Sequence, residues 1–171
     1  MRAAGARAGG WAAAILAAAL LLSPSAALAQ PGTATPGAPD DTAAANAAAV
    51  RAAFDAWAAG TGSVFELLAE DATWTVAGHS PVSGRYTSRR DFLARAVQPI
   101  TARLATSIVP RLHHLLAQGD AVVAVFDGVA TARDGRPYRN TYAWHMTLDG
   151  GRIVRVTAFL DTWALEALMQ D

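Results

Sequence analysis

The chain has 171 residues and no cysteine, and its 14 basic and 14 acidic residues give a formal net charge of zero. The lack of cysteine excludes disulfides, thiolate metal sites and lipid attachment through a cysteine. No basic stripe interrupts this near-neutral sequence, so we expect no nucleic-acid partner.

The N-terminal residues have the pattern of a secretory signal peptide. Arg2 and Arg7 precede an apolar run at residues 11–22, and Ala27 and Ala29 supply the small residues of a cleavage site before Gln30. This apolar run of twelve residues is too short to span a bilayer. We therefore predict a signal peptide at residues 1–29, export to the periplasm or the medium, and no stable membrane span after processing.

The next segment is predicted to be a linker followed by one domain. Residues 30–45 are rich in Pro, Gly, Thr and Ala without apolar periodicity, which is typical of a flexible linker. Residues 46–171 have the length of a single domain. From about Thr42 to Ala59 apolar residues recur at helical spacing, and Ser63 with Glu66 forms a capping-box pattern for a short second helix.

The rest of the chain changes from helical to extended periodicity. Residues 72–77 are predicted to form a strand and residues 78–86 a loop. A third helix begins at Ser88, and Pro99 within it predicts a kink or an early end near Gln98. Four strands then follow at residues 107–118, 121–131, 138–148 and 153–160, before a terminal helix at residues 163–169.

This order of elements predicts an α+β fold. Helices that are segregated from a run of antiparallel strands pack on one side of the sheet. We expect a cone-shaped, curved antiparallel sheet wrapped around three N-terminal helices. The hollow between the concave face and the helices is the expected place for a ligand.

Three segments in this order resemble a known family. They are FELLAEDATWTVAG, SPVSGRYTSRRDFL and RPYRNTYAWHMTLDGGRIVRVTAFLDT. Together they resemble the SnoaL-like, ketosteroid isomerase-related branch of the nuclear transport factor 2-like superfamily, across residues 46–169. The resemblance implies a cystatin-like α+β barrel that often dimerises through the outer face of its sheet. It also implies a class of isomerases, dehydratases, hydrolases, polyketide cyclases and noncatalytic domains.

The chain departs from the steroid isomerases of this family. Their proton-shuttling aspartate would fall near Val76 or Ala77, where no carboxylate stands, so ketosteroid isomerisation is disfavoured. Cyclase-type members place an acid or base aspartate near the end of the last strand. The resemblance therefore points to Asp161.

One strand carries most of the candidate binding residues. Side chains in a strand alternate between two faces, so every second residue from Tyr138 to Met146 shares one face. The candidate ligand-binding residues are Trp74, Tyr138, Asn140, Trp144 and Met146. The alternative is that this face forms a closed core.

The candidate catalytic residues are Asp161, His79 and Tyr142. Burial of Asp161 in an apolar hollow would raise its pKa toward the range of proton transfer, whereas the alternative makes Asp161 the N-cap of the terminal helix. Tyr142 could donate a hydrogen bond to a carbonyl or an oxyanion. His79 lies at the expected rim of the hollow, as a general base or as an ordinary loop residue.

The other histidines give weaker signals. His113 and His114 are adjacent on a strand, so at most one of them faces the hollow, and His113 is the binding candidate. His145 alternates with Trp144 and is expected on the outer face. No pair has metal-ligand spacing, so we predict neither a metal nor another cofactor.

Two functions follow from the sequence. The first is an exported domain that binds a small hydrophobic or aromatic molecule, with or without cofactor-independent isomerase, dehydratase, hydrolase or cyclase activity. The second is a noncatalytic binding or homodimerisation module. A carboxylate or an imidazole facing an open hollow would favour the enzyme, and a hollow filled by Trp74, Tyr142, Trp144 and Met146 would favour the module.

Overall fold

The computed structural model describes residues 41–170. The predicted signal peptide and residues 30–40 of the predicted linker lie outside the described residues. Helix α1, Asp41–Ala58, begins one residue before the predicted helical spacing near Thr42, so residues 41–45, which were also included in the predicted linker, are helical. The helix continues into this stretch because its buried residues keep a helical spacing. They are Ala43, Asn46, Val50 and Phe54.

Two short elements connect α1 to the sheet. Ser63 caps a 3₁₀-helix, Val64–Leu67, by accepting a hydrogen bond from the Phe65 amide at 3.2 Å. Strand β1, Leu68–Val76, starts at once and is longer than predicted. A further short strand, β2 at Gly84–Tyr86, occupies the end of the predicted loop.

Helix α2 spans residues 89–101 and contains a π-helical turn. Ser88 caps it by accepting a hydrogen bond from the Asp91 amide at 3.0 Å. The turn lies at Leu93–Val97, between the α-helical segments Arg89–Phe92 and Gln98–Thr101. The predicted early end near Gln98 was therefore wrong, whereas an irregularity does adjoin Gln98 in the form of the π turn. The π turn brings Pro99 into the first turn of the last segment, where proline's missing N–H is tolerated.

Four long strands and a final helix complete the domain. They are β3, Val109–Gln118; β4, Ala121–Thr131; β5, Pro137–Asp149; β6, Arg152–Leu160; and α3, Thr162–Met169. Their bounds agree with the predicted extended segments and terminal helix within a few residues.

The strands form one six-stranded sheet in the order β2-β1-β6-β5-β4-β3. The predicted α+β class with a curved sheet is confirmed. The sheet is mixed, however, because β1 pairs with β6 in parallel while the other pairs are antiparallel. Hairpin signals describe only strands that follow each other in sequence, so they did not reveal this pairing.

The core lies between the inner face of the sheet and the helices. Alternate residues of β4 are buried there, and Phe126 packs edge-on against Phe54 of α1 at 4.9 Å between ring centroids. Met146 of β5 and Val156 of β6 are also fully buried. Among the described residues, no helix has both the length and the apolar character needed to cross a membrane.

Candidate functional site

A cavity of about 350 Å³ lies between the inner face of the sheet and helices α2 and α3. This volume is at the small end of the range for ligand pockets. The loop residues Pro81 and Val82 and the α3 residues Leu165 and Met169 also line it. The hollow expected from the sequence is thus present, although aromatic side chains occupy much of the inner face.

Aromatic rings form the walls of this cavity. Trp144 of β5 stacks on Trp57 of α1 at 6.0 Å and contacts Trp74 of β1 edge-on at 4.8 Å. Trp74 in turn stacks on Phe92 of α2 at 4.0 Å. These rings come from different elements, which gives a flat, apolar ligand several stacking surfaces.

The polar side chains on the cavity wall are hydroxyls and groups that can only donate hydrogen bonds. The described residues that line the cavity include no aspartate, glutamate or histidine. They do include Trp57, Trp74 and Trp144, whose indole N–H groups bond to no acceptor within the described residues. An indole can donate but cannot accept. Arg95, with its side chain 66% exposed, adds a cation at the rim.

Three side chains of β5 form a hydrogen-bonded chain behind the wall. The Tyr138 and Tyr142 hydroxyl oxygens lie 2.9 Å apart, and Asn140 Nδ2 donates to the Tyr138 oxygen at 3.1 Å. Tyr142 lines the cavity, whereas Tyr138 and Asn140 are buried beside it. Burial, which disfavours the charged phenolate, raises the pKa of both Tyr138 and Tyr142, so both stay protonated at neutral pH.

Gly128 of β4 fixes the position of the Tyr142 ring. A Cβ atom at Gly128 would lie 3.0 Å from Tyr142 Cε2 and 2.9 Å from Ile108 Cγ2. On its other side the Tyr142 ring stacks on Phe126 at 4.7 Å between centroids. The lack of a side chain at Gly128 is therefore what allows this close packing.

Asp161 lies outside the cavity lining, where it caps helix α3. Its Oδ1 accepts hydrogen bonds from the backbone amides of Trp163 at 3.0 Å and Ala164 at 3.1 Å. The side chain is exposed. This geometry matches the N-cap alternative of the sequence analysis, and Asp161 is too exposed for the burial that was expected to tune a catalytic acid.

His79 is likewise outside the cavity. It is an exposed residue in the bend between β1 and β2, and its loop neighbours Pro81 and Val82 reach the cavity instead. Nothing in this placement gives His79 contact with a ligand in the cavity.

His113 lies on the outer face of the sheet, so its assignment to the ligand pocket was wrong. Its Nε2 is 2.8 Å from Asp127 Oδ2, and this hydrogen bond, followed by one from Thr141, lowers the pKa of Asp127. The register of β3 shifts between Leu112 and His114, which marks a β-bulge. A bulge breaks strict alternation, so His113 and His114 are both exposed rather than on opposite faces.

The remaining candidates divide between the cavity wall and the core. Trp74 and Trp144 line the cavity, while Met146 is fully buried and lies outside the lining. His145 is exposed, as expected for the outer face. The lining residues that were missed as site residues include Trp57, Phe65, Tyr86 and Arg95. The apolar stripes of the helices were the available signal for the first two.

The α+β fold is similar to that of several solved structures, among them an NTF2-like protein. Bal32a, from a soil-derived mobile gene cassette, is 22% identical, with a TM-score of 0.62 over 75% of this chain and 98% of its own. An NTF2-like protein from Burkholderia thailandensis is 22% identical, with a TM-score of 0.60 over 74% and 98% of the two chains. TerC, crystallised with polyporic acid, is 17% identical, with a TM-score of 0.58 over 74% and 99%. At these identities the similarity establishes the fold alone.

The family follows from the sequence match. The model of the SnoaL-like domain matches residues 50–156, which is more than half of the chain. The chain therefore belongs to the SnoaL-like domain family, as the ordered segments had indicated. No curated protein matches the sequence significantly.

Proposed function

We propose that this domain binds a small, mostly apolar ring compound in the cavity between its sheet and α2. The observation that carries the proposal is the composition of the wall, where stacked aromatic rings surround a volume of about 350 Å³. A hollow of this kind exposes apolar surface that a ligand would cover. TerC, a structural neighbour, was crystallised with polyporic acid, a small molecule, which supports the same class of ligand.

Binding without acid–base catalysis is the form of this function that the wall supports best. A cofactor-independent isomerase, dehydratase, hydrolase or cyclase needs a group that accepts a proton. The described lining residues supply no carboxylate and no imidazole, and Asp161 and His79 lie outside the lining. A catalytic version of the proposal therefore depends on Tyr142, which could polarise a carbonyl while the substrate supplies the other proton-transfer group.

A cavity-blocking substitution tests the binding proposal. Ala96 lines the cavity on α2, and Ala94 lies on the exposed side of the same helix. The probe is tetralin, a bicyclic hydrocarbon, with binding measured by isothermal titration calorimetry. We expect A96W to abolish binding and A94W, the matched control, to keep it.

The outcome is also visible as thermal stabilisation. A ligand at 100 times its dissociation constant stabilises the native state by about 2.7 kcal/mol. Equal binding by both variants, or no binding of tetralin or related bicyclic rings by the unmodified protein, would refute the proposal.

We propose in addition that the protein is a homodimer that associates through the outer face of its sheet. This face carries exposed apolar side chains, including Leu116 with 66% and Phe159 with 53% of their surface accessible. Exposed apolar surface of this kind is typical of association sites. Sedimentation velocity should show a dimer that dissociates in F159D, and a monomeric unmodified protein would refute this proposal.

Export is the last part of the proposal. It depends on the signal-peptide pattern at residues 1–29, because the structure describes residues 41–170 alone. Mass spectrometry of protein from the periplasm or the medium should find an N-terminus at Gln30.

A further inference from the structure

The orientation of the Asn140 amide is fixed by the backbone of Asp161. The Asp161 N–H donates to Asn140 Oδ1 at 3.0 Å, and Asn140 Nδ2 donates to the Asp161 carbonyl at 2.9 Å. A backbone N–H can only donate and a carbonyl can only accept, so the network assigns both atoms of the amide. The second hydrogen of Nδ2 is therefore the one that points to Tyr138.

The Tyr138 hydroxyl must donate its proton to Tyr142. Tyr138 is only 4% exposed, and its oxygen already accepts the hydrogen bond from Asn140. The Tyr142 oxygen at 2.9 Å is the acceptor within reach among the described residues. If Tyr142 donated instead, the buried Tyr138 proton would have no partner, which is costly in a folded protein.

This direction leaves the Tyr142 proton free. Its oxygen receives the Tyr138 proton, and no other described residue accepts a hydrogen bond from Tyr142. Tyr142 lines the cavity, with its ring held between Phe126 and the backbone at Gly128. Hydrogen bonds that run in one direction along a chain polarise one another, so the last donor is strengthened.

We propose that Asn140 and Tyr138 are positioning residues that direct the Tyr142 proton into the cavity. The cavity then selects ring compounds that carry a carbonyl acceptor, such as aromatic ketones and quinones, over hydrocarbons of the same size. The unpaired indole N–H groups of Trp57, Trp74 and Trp144 also favour a ligand that carries a hydrogen-bond acceptor. This inference rests on the proposed function, since it names the chemical class of the ligand for the same cavity.

The test compares two probes that differ by one carbonyl group. They are 1-tetralone and tetralin, with affinities measured by isothermal titration calorimetry. One well-oriented hydrogen bond is worth roughly tenfold in affinity, so we expect the unmodified protein to bind the ketone about ten times more tightly. Y142F should remove that preference, so that its affinities for the two probes become equal.

The variant that separates positioning from packing is N140D. An aspartate at this position has at most one proton, and the Asp161 carbonyl requires it, so the carboxyl group can only accept from Tyr138. The chain of hydrogen bonds would then run in the opposite direction, with Tyr142 donating to Tyr138. We expect N140D to lose the roughly tenfold preference for the ketone while Tyr142 itself is intact.

Two further variants complete the experiment. N46D makes the same change at the other buried asparagine, which lies on α1 and outside the cavity lining, and should keep the ketone preference. Y138F preserves the packing but breaks the chain of hydrogen bonds. It provides the test of the positioning role if N140D does not fold. We expect it to weaken the ketone preference.

The outcomes separate this inference from the proposed function. If tetralin binds but the ketone has no advantage, or if the advantage survives in Y142F, the inference fails and the binding function stands. If the advantage survives in N140D and Y138F, Asn140 and Tyr138 have no positioning role. Failure of both probes to bind would refute the inference together with the proposed function.

Discussion

The inner and outer faces of the same sheet carry opposite chemistry. The inner face presents tryptophan, phenylalanine and tyrosine rings around a cavity that has no carboxylate or imidazole among its described lining residues. The outer face carries His113, His114 and His145 together with Asp127. The imidazoles and carboxylates therefore lie where water can solvate them, and the cavity lining carries no charged side chain apart from Arg95 at the rim.

This contrast shows why a residue type is a poor guide to a catalytic role. Three ionisable residues that the sequence selected as candidates are exposed to solvent: Asp161, His79 and His113. Moving a charge into an apolar cavity costs several kcal/mol unless a partner compensates for the lost water. The cavity described here has no such partner, apart from Arg95 at its rim, which pairs with Asp91.

The largest expected effect is a difference in stability between substitutions on the inner face and on the outer face of the sheet. Trp144 is 5% exposed and its ring contacts those of Trp57, Trp74 and Phe126. Truncation of such a side chain leaves a cavity, so we expect W144A to lower the free energy of unfolding by about 3–5 kcal/mol. F159A on the outer face should cost about 0.5 kcal/mol or less.

Urea denaturation at one low protein concentration measures both variants. Equal losses of unfolding free energy in W144A and F159A would contradict this prediction, because Trp144 would then not be part of a packed inner face.

The second prediction concerns alkaline pH. Burial raises the pKa of Tyr138 and Tyr142 above the ordinary value of 10.0, so above pH 10 the native state holds protons that the unfolded state has released. Stability is then fully present below pH 10 and falls as the pH rises, by about 1.4 kcal/mol per pH unit for each phenol that stays protonated. We expect Y142F to fall less steeply above pH 10 than the unmodified protein.

Ultraviolet absorbance gives a direct check. The chain has three tyrosines, so in the Y86F background the remaining phenols are Tyr138 and Tyr142. Absorbance at 295 nm should stay flat near pH 10 and rise together with the loss of circular dichroism. A rise near pH 10 in the folded protein would show that the two phenols are solvated.

The smallest effect distinguishes a capping aspartate from a catalytic one. Asn and Asp are equally good N-caps, so D161N should be nearly neutral for stability, whereas D161A should cost about 1 kcal/mol. Neither change should alter the affinity for 1-tetralone. Thermal denaturation and calorimetry measure the two properties, and a large loss of ketone binding in D161N would return Asp161 to the site.

The sequence by itself determined the local features of this protein. Periodicity located α1, β3 to β6 and the terminal helix, because amphipathic elements repeat their burial every 3.6 or 2 residues. Alternation also placed Trp144 and Met146 on one face of β5. The positions of Ser63 and Ser88 predicted the two helix N-caps that form. These properties depend on neighbours within a few residues along the chain.

Only the tertiary structure decided which of these residues meet. The parallel pairing of β1 with β6 joins segments that are distant in the sequence. The same is true of the cavity, whose wall joins Trp57, Trp74 and Trp144 from three separate elements. The direction of the Tyr142 hydroxyl needs the Asp161 backbone, 21 residues from Asn140, because a hydrogen bond forms between atoms that folding brings within 3 Å or so.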